Sequence, residues 1–197
     1  MDNDRLTPQV TDPAQSLCVR CGLCCDGTIF DHARLFPEDD PARLEAGGFI
    51  MLTTKTGTGF ALPCHHHRDR LCTIYQQWRP TICHTFRCRL LRRFDAGEIS
   101  LEEAQGIIDR TTALADRVWA QMRQHMAAAD GSLRQRFRAW ELSQDEPDWR
   151  RRHAAFLLDY ASLQRRLDRD FRLKPEQTEA GIANQTEPSQ VGETDHE

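Results

Sequence analysis

The octapeptide CVRCGLCC, residues 18–25, places four cysteines in eight positions and ends on an adjacent pair. A disulfide between Cys24 and Cys25 would close a strained ring, because neighbouring Cα atoms are about 3.8 Å apart and a relaxed disulfide needs about 5.5 Å. A metal ion or cluster accepts several thiolates at once, so the two neighbours can serve one centre or two. The segment therefore predicts metal binding.

All eight cysteines lie in the first half of the chain, as Cys18, Cys21, Cys24, Cys25, Cys64, Cys72, Cys83 and Cys88. The sequence lacks a signal-peptide pattern and an apolar run long enough to span a membrane, so we expect a cytoplasmic protein that does not associate with membranes. In that reducing compartment, clustered thiols favour metal binding or redox chemistry over disulfides.

Charge gives no reason to expect nucleic acid as a partner, because the formal net charge is -4. The expected partner is a metal ion or cluster, and the sequence identifies no protein partner. Arg20, Arg79, Arg87 and Arg89 lie next to cysteines in the sequence. They would offset the negative charge of thiolates, or they are solvated.

The composition divides the chain into four parts. We predict a disordered N-terminus at 1–16, a cysteine module at 17–95, a helical support region at 96–174 and a disordered acidic tail at 175–197. The predicted fold is mainly α: a small, loop-rich cysteine module with a short β-hairpin, packed on a C-terminal bundle of about three helices.

Two local patterns position the later cysteines. The runs FIMLTT and FALPC flank the turn sequence KTGTG and predict a hairpin that ends at Cys64. The segment PTICHTFRCRLLRRF, from Pro80, predicts a helix that carries Cys83 and Cys88 on its body or first turns. His84 and Cys88 are four residues apart, so on a helix they would share a face; His84 is a possible ligand or a surface histidine.

The second half of the chain reads as three helices. Ser100 and Glu103 form a capping-box pattern that starts the first, which we expect to run to Asp130 and Gly131. The second starts at Ser132, and the third starts near Asp145 and Pro147 and runs to about Phe171. Their apolar and aromatic stripes are typical of packing faces.

The metal remains open between two alternatives. CVRCG is typical of a zinc knuckle, whereas CxxCxxC is the spacing with which loops hold an iron–sulfur cluster. The adjacent fourth cysteine and the nearby arginines give [4Fe–4S] a small preference over Zn²⁺. The triplet His65–His67 is interpreted as a polar surface loop, with a soft metal site as the alternative.

Four elements in order resemble a known family: CVRCGLCC, PC at Pro63 and Cys64, CTIY at residues 72–75, and RPTIC at residues 79–83. They are similar to the signature of the YkgJ family of cysteine-cluster proteins, described as a zinc- or iron-chelating domain. The resemblance implies metal binding by the cysteines. The sequence departs from the family at His84, where the family usually has arginine, and at the additional Cys88.

The function we predict is metal binding in a non-catalytic or accessory role. One alternative is a component of an iron–sulfur redox, methylation or maturation enzyme, since a related module accompanies flagellin-lysine methylases; another is a metal-delivery protein. The sequence has no phosphate-binding glycine loop, dinucleotide fingerprint or HExxH motif, so we favour a protein without its own catalysis. We further expect one of Cys24 and Cys25 to join Cys18 and Cys21, and the other to face the later cysteines.

Overall fold

The computed structural model describes residues 12–54, 57–126 and 130–173, and it is mainly helical, as predicted. The helices are α1 Pro13–Cys21, α2 Pro41–Ala46, α3 Ile82–Thr85, α4 Arg89–Asp95, α5 Leu101–His125, α6 Leu133–Leu142, α7 Trp149–Arg152 and α8 Ala154–Asp170. The strands are β1 His32–Arg34, β2 Met51–Thr54, β3 Gly57–Ala61, β4 His67–Arg68 and β5 Leu71–Cys72. They form an antiparallel sheet in the order β1-β3-β2 and a small antiparallel pair, β4-β5.

Helix α1 begins earlier than the sequence suggests. Asp12 caps it by accepting a hydrogen bond from the backbone N–H of Ala14 at 3.0 Å, and Ala14 and Leu17 are buried. The expected disorder at 1–16 therefore does not hold for residues 13–16, because their apolar side chains pack into the core. Residues 1–11 and the predicted acidic tail at 175–197 lie outside the described residues.

The predicted hairpin is present as β2 and β3, with Met51 opposite Phe60; its tip at 55–56 is outside the described residues. Strand β1, which the sequence analysis missed, adds to the other edge of β3. A Cβ at Gly59 would lie 2.4 Å from the carbonyl oxygen of Ala33, so the close approach of β1 requires glycine. A small core of Leu44, Phe49, Phe60 and Leu62 supports this sheet.

Two predicted helices are each broken in the structure. The helix expected from Pro80 is divided into α3 and α4, because Phe86 has an extended backbone (ψ 129°) and packs edge-on against Phe30 at 5.5 Å. The third helix of the back half is divided into α7 and α8 at His153, whose ring packs against Trp140 at 5.2 Å. In both places, a side chain that packs against a distant aromatic ring overrides the local helical pattern.

The capping residues of the other two helices are confirmed. Ser100 and Glu103 form a reciprocal capping box at the start of α5, and Ser132 does the same with Gln135 at the start of α6. Helix α5 ends at His125; residues 127–129, which precede the predicted stop at Asp130 and Gly131, are not described. None of the helices in the described ranges is long and apolar enough to cross a membrane.

A single large core joins the cysteine module to the helices. Leu17, Leu23 and Leu90 belong to the same buried cluster as residues of α5 and α8, including Ile108, Val118, Met122, Leu163 and Leu167. Polar contacts also join the cysteine module to α5. Trp119 Nε1 donates to Thr28 Oγ1 at 2.8 Å, and the Arg20 guanidinium donates hydrogen bonds to both oxygens of the Asp109 carboxylate. The module is therefore held in place by the helices on which it packs.

Asp31 makes a charged polar link between the module and α6. Its carboxylate accepts hydrogen bonds from Ser132 Oγ at 2.5 Å and from Arg134 Nε at 3.0 Å, and its side chain is only 17% exposed. Desolvation alone would raise the pKa of Asp31, but these hydrogen bonds outweigh it and hold the pKa below the ordinary value. The charged carboxylate is thus the form that stabilises the link.

We expect Asp31→Asn to lower the free energy of unfolding by about 1–2 kcal/mol at pH 7, because hydrogen bonds to a charged group are lost. A lowered folded pKa means that this stabilisation is present above the unfolded pKa of about 3.9 and is lost as pH falls through the folded pKa. Urea denaturation of both proteins from pH 7 to pH 3 should therefore show their difference shrinking in acid. Asp145→Asn, at an exposed aspartate, is the matched control; a difference that stays constant with pH would contradict the prediction.

Candidate metal centre

The structure brings the eight cysteines into one region, which borders the large core at Cys21, Cys24 and Cys88. Cys18 and Cys21 lie on the last turn of α1, and Gly22 ends that helix with a left-handed backbone (φ 64°). Cys24 and Cys25 follow in the next turn. The backbone N–H of Cys64 donates to the carbonyl of Cys25 at 2.8 Å, which ties the later cysteines to this turn. Cys72 lies on β5, Cys83 on α3, and Cys88 directly before α4.

The adjacent cysteines Cys24 and Cys25 share Cys18 as a neighbour, but their other neighbouring thiols differ. The thiols that raise the pKa of Cys24 are mainly those of Cys88, Cys18 and Cys21. The thiols that raise the pKa of Cys25 are those of Cys18, Cys83, Cys64 and Cys72. We name the first group, Cys18, Cys21, Cys24 and Cys88, the inner set, and the second group, Cys25, Cys64, Cys72 and Cys83, the outer set. Cys18 lies at the border of both.

The inner set lies against the hydrophobic core. Cys21 and Cys88 are buried, and with Cys18, Cys24 and Cys25 they border a cavity of about 30 Å³ that is otherwise lined by apolar side chains. Burial raises the pKa of Cys21 and Cys24 well above that of a free thiol and raises the pKa of Cys88 to about 11. The backbone N–H groups of Leu23, near Cys21, and of Leu91, near Cys88, partly offset the rise in pKa.

The outer set is closer to the surface. Burial raises the pKa of Cys25 well above the ordinary value and that of Cys83 to about 12. Burial also raises the pKa of Cys64, and the backbone N–H groups of His66 and His67 oppose this rise. Cys18 and Cys83 retain exposed surface, yet enough protein atoms surround them for desolvation to raise both pKa values. Because their pKa values are raised, the thiols of Cys25, Cys64 and Cys83 are protonated at neutral pH, so a metal cation must displace their protons.

Two of the four arginines singled out in the sequence act on the thiols. Arg87 and Arg79 oppose the effect of desolvation on the pKa of Cys18, and Arg79 does the same at Cys83. Arg20 instead pairs with Asp109 on α5. Positive charge is therefore concentrated where Cys18 and Cys83 reach the surface, and it would stabilise thiolates there.

His84 is placed apart from Cys88. Because the chain is extended at Phe86, the two residues do not share a helical face as the sequence suggested. The exposed His84 ring lies next to Arg79, with Nε2 3.3 Å from the Arg79 carbonyl and Nδ1 3.4 Å from its guanidinium. This contact occupies both ring nitrogens of His84.

The three adjacent histidines differ in their surroundings, which the sequence analysis did not foresee. The rings of His65 and His66 contact each other and Phe49. His67 turns the other way and lies over Gly22, where a Cβ would be 2.6 Å from its Nε2. Desolvation, with a further contribution from Arg70, lowers the pKa of His67. The loop is thus a surface loop at His65 and His66 but part of the cysteine region at His67.

The donor set fits a thiophilic metal. Tetrahedral thiolate sites are typical of zinc and of iron–sulfur centres, and both sets offer four sulfurs. Over the ranges that the structure describes, no three His, Cys, Asp or Glu side chains are arranged to hold one metal ion.

Comparison with known families agrees with this chemistry. Residues 17–107 match a family model, CxxCxxCC, described as "Putative zinc- or iron-chelating domain". This is the family that the sequence resembles. The match covers the whole cysteine module and the start of α5, and it supports metal binding through the cysteines without identifying the metal. None of the curated proteins or solved structures that were compared matches the chain.

Gly22 offers a test of the contact between the CVRCG turn and His67. We expect Gly97→Ala to cost about 1 kcal/mol of folding free energy, because its left-handed backbone (φ 71°) disfavours a side chain. The added Cβ would cause no clash, since no neighbouring atom lies within 4 Å of it. Gly22→Ala should cost clearly more, since it has a similar backbone (φ 64°) and its Cβ would also displace the His67 ring. Urea denaturation of the metal-free variants measures both losses. Equal losses would show that the His67 ring is not held against Gly22.

Proposed function

We propose that the protein binds two metal ions, one in the inner set and one in the outer set of four cysteines. The observation that carries this proposal is the division of Cys24 and Cys25, whose thiols share Cys18 as a neighbour but otherwise lie near different cysteines. Each set then has the four sulfurs that a tetrahedral thiolate site needs.

We assign single zinc ions to the two sites. The four inner thiols, together with Cys25, border a cavity of about 30 Å³, which is about the space that one small ion or water occupies. Zinc favours four thiolates in a tetrahedron and adds no redox chemistry, so it would mainly stabilise the fold.

An accessory, non-catalytic role follows from the number of ligands. Zinc sites with four protein ligands are closed, whereas catalytic sites keep one position open for water or substrate. Assigning all eight thiols to two ions leaves no open position at either. The proposal requires the reducing compartment that the sequence predicts, because oxidised cysteines do not bind metal in this way.

An iron–sulfur protein, with a redox or maturation role, is the second candidate. It is favoured by the CxxCxxC spacing and by Arg79 and Arg87, whose charges would stabilise an anionic centre near Cys18. A delivery role is favoured by the exposed surface of Cys18 and Cys83, from which a partner could take metal.

Anaerobic purification followed by elemental analysis and visible absorption distinguishes zinc from a cluster. We expect a colourless protein with about two zinc ions per chain. Broad absorption near 400 nm, together with iron and inorganic sulfide, would replace zinc with the iron–sulfur candidate.

Paired serine substitutions test the division into two sets. We expect Cys24→Ser with Cys88→Ser to lose one of the two ions, because both residues belong to the inner set. Cys24→Ser with Cys83→Ser should lose most of both, because one residue comes from each set. The bound zinc is counted by mass spectrometry of the folded chain and by elemental analysis. Equal metal loss in the two double variants would contradict the two-set arrangement.

Metal removal should affect the two parts of the chain differently. Leu17 and Leu23 are anchored in the large core, whereas residues 64–88 contain only β4, β5 and α3 as regular structure. We expect a chelator to reduce hydrogen-exchange protection mainly in residues 64–88 and to leave α5 and α8 protected. Equal protection with and without chelator would mean that metal does not stabilise this segment.

A further inference from the structure

His67 has a buried ring nitrogen that lacks a hydrogen-bond partner. Over the described ranges, four buried side-chain nitrogens have no partner: His67 Nε2, Arg70 Nη1, Arg79 Nε and Gln164 Nε2. Leaving a buried polar group without a hydrogen bond destabilises the folded state. Such a group is therefore uncommon unless an acceptor arrives with a ligand.

The backbone holds His67 between the two sets of cysteines. Strand β4 places it opposite Cys72, and its N–H donates to the carbonyl of Cys64 at 2.9 Å, so it is tied to the outer set. Its ring lies over Gly22, which directly follows Cys21 of the inner set. Because Gly22 has no side chain, nothing on that residue itself can accept a hydrogen bond except the backbone.

The neighbouring histidines show that this arrangement is specific to one residue of the triplet. His66 Nε2 lies 3.1 Å from the carbonyl of Gly47, and His65 contacts Phe49 and Gly48. Arg79 Nε is also buried without a hydrogen-bond partner. The charge of the Arg79 guanidinium opposes the rise in the pKa values of Cys18 and Cys83. Two of the unpartnered nitrogens thus belong to residues of the cysteine region.

We propose that His67 is a positioning residue whose Nε2–H donates a hydrogen bond to an anionic sulfur of the metal-loaded centre. A protonated thiol is a weak acceptor, whereas a metal-bound thiolate is a strong one. Metal binding thus supplies the acceptor that Nε2 lacks. This inference rests on the proposed function. It assigns to His67 a role in holding and tuning the thiolates, and no role as a ligand, since each set already provides four sulfurs.

Cobalt binding to the full chain tests this role, because Co²⁺ replaces zinc in thiolate sites and its absorption reports the ligands. We expect His67→Phe to weaken Co²⁺ binding about tenfold, as loss of a group that orients the ligands does. The sulfur-to-cobalt charge-transfer band should move to lower energy without losing intensity, because the same sulfurs bind but one is no longer stabilised by a donor. His67→Gln, which retains an N–H donor, should recover much of the affinity, and His65→Phe is the matched control.

Each contrary result has a distinct meaning. If His67→Phe and His65→Phe bind Co²⁺ equally well with the same spectrum as the original chain, the inference is wrong. If His67→Phe changes the d–d bands to those of a different ligand set, His67 is a ligand and the inference is also wrong. If the original chain binds neither Co²⁺ nor zinc, the proposed function itself fails, and the inference fails with it.

A measurement on the unsubstituted chain does not depend on how the variants fold. With ¹¹³Cd²⁺ bound in place of zinc, the His67 Nε2–H proton should exchange slowly with water and should show a scalar coupling to the metal across the N–H···S hydrogen bond. A rapidly exchanging proton without that coupling would overturn the proposal.

Discussion

The turn from Gly22 to Gly27 determines which way the thiols face, and the rest of the cysteine region depends on it. Backbone hydrogen bonds from Asp26 to the Gly22 carbonyl, at 3.0 Å, and from Gly27 to the Cys24 carbonyl, at 3.3 Å, hold this turn. Gly22 ends α1, so Cys21 lies in the core while the chain reverses. Cys24 then lies near Cys88, Cys18 and Cys21, and Cys25 lies near Cys18 and the outer set. A chain that left α1 in another direction could not divide the adjacent pair in this way.

Helices α5 and α6 hold this turn in place through hydrogen bonds. Thr28, directly after the turn, is buried and accepts a hydrogen bond from Trp119 on α5, while Leu133 at the start of α6 donates to the carbonyl of Gly27. Cys88 is held from the opposite side, because the backbone N–H of Arg89 donates to the carbonyl of Phe171 after α8. The helices thus hold the segments on either side of the inner thiols.

Burial gives the cluster its chemistry. Desolvation keeps the thiols of Cys21, Cys24, Cys25 and Cys88 protonated, which makes them poor nucleophiles, and a cation that binds them must displace their protons. The backbone N–H groups near Cys21, Cys64 and Cys88, with Arg79 and Arg87, already point positive charge at the sulfurs. Such an environment suits thiolates neutralised by a metal, in agreement with the family model matched by residues 17–107, which is described as a "Putative zinc- or iron-chelating domain".

Local sequence patterns were sufficient to predict the metal chemistry and the starts of two helices. The density and spacing of the cysteines predicted metal chemistry, and the capping residues Ser100 and Ser132 predicted the starts of α5 and α6, because caps and spacing act within a few residues. Tertiary packing decided the rest. The contact of Phe86 with Phe30 interrupts the predicted helix and separates His84 from Cys88. Burial of Ala14 and Leu17 stabilises α1 from Pro13 onward. The packing also places the His67 ring over Gly22, away from the two other histidines. These outcomes depend on contacts between residues distant in sequence, which no local pattern encodes.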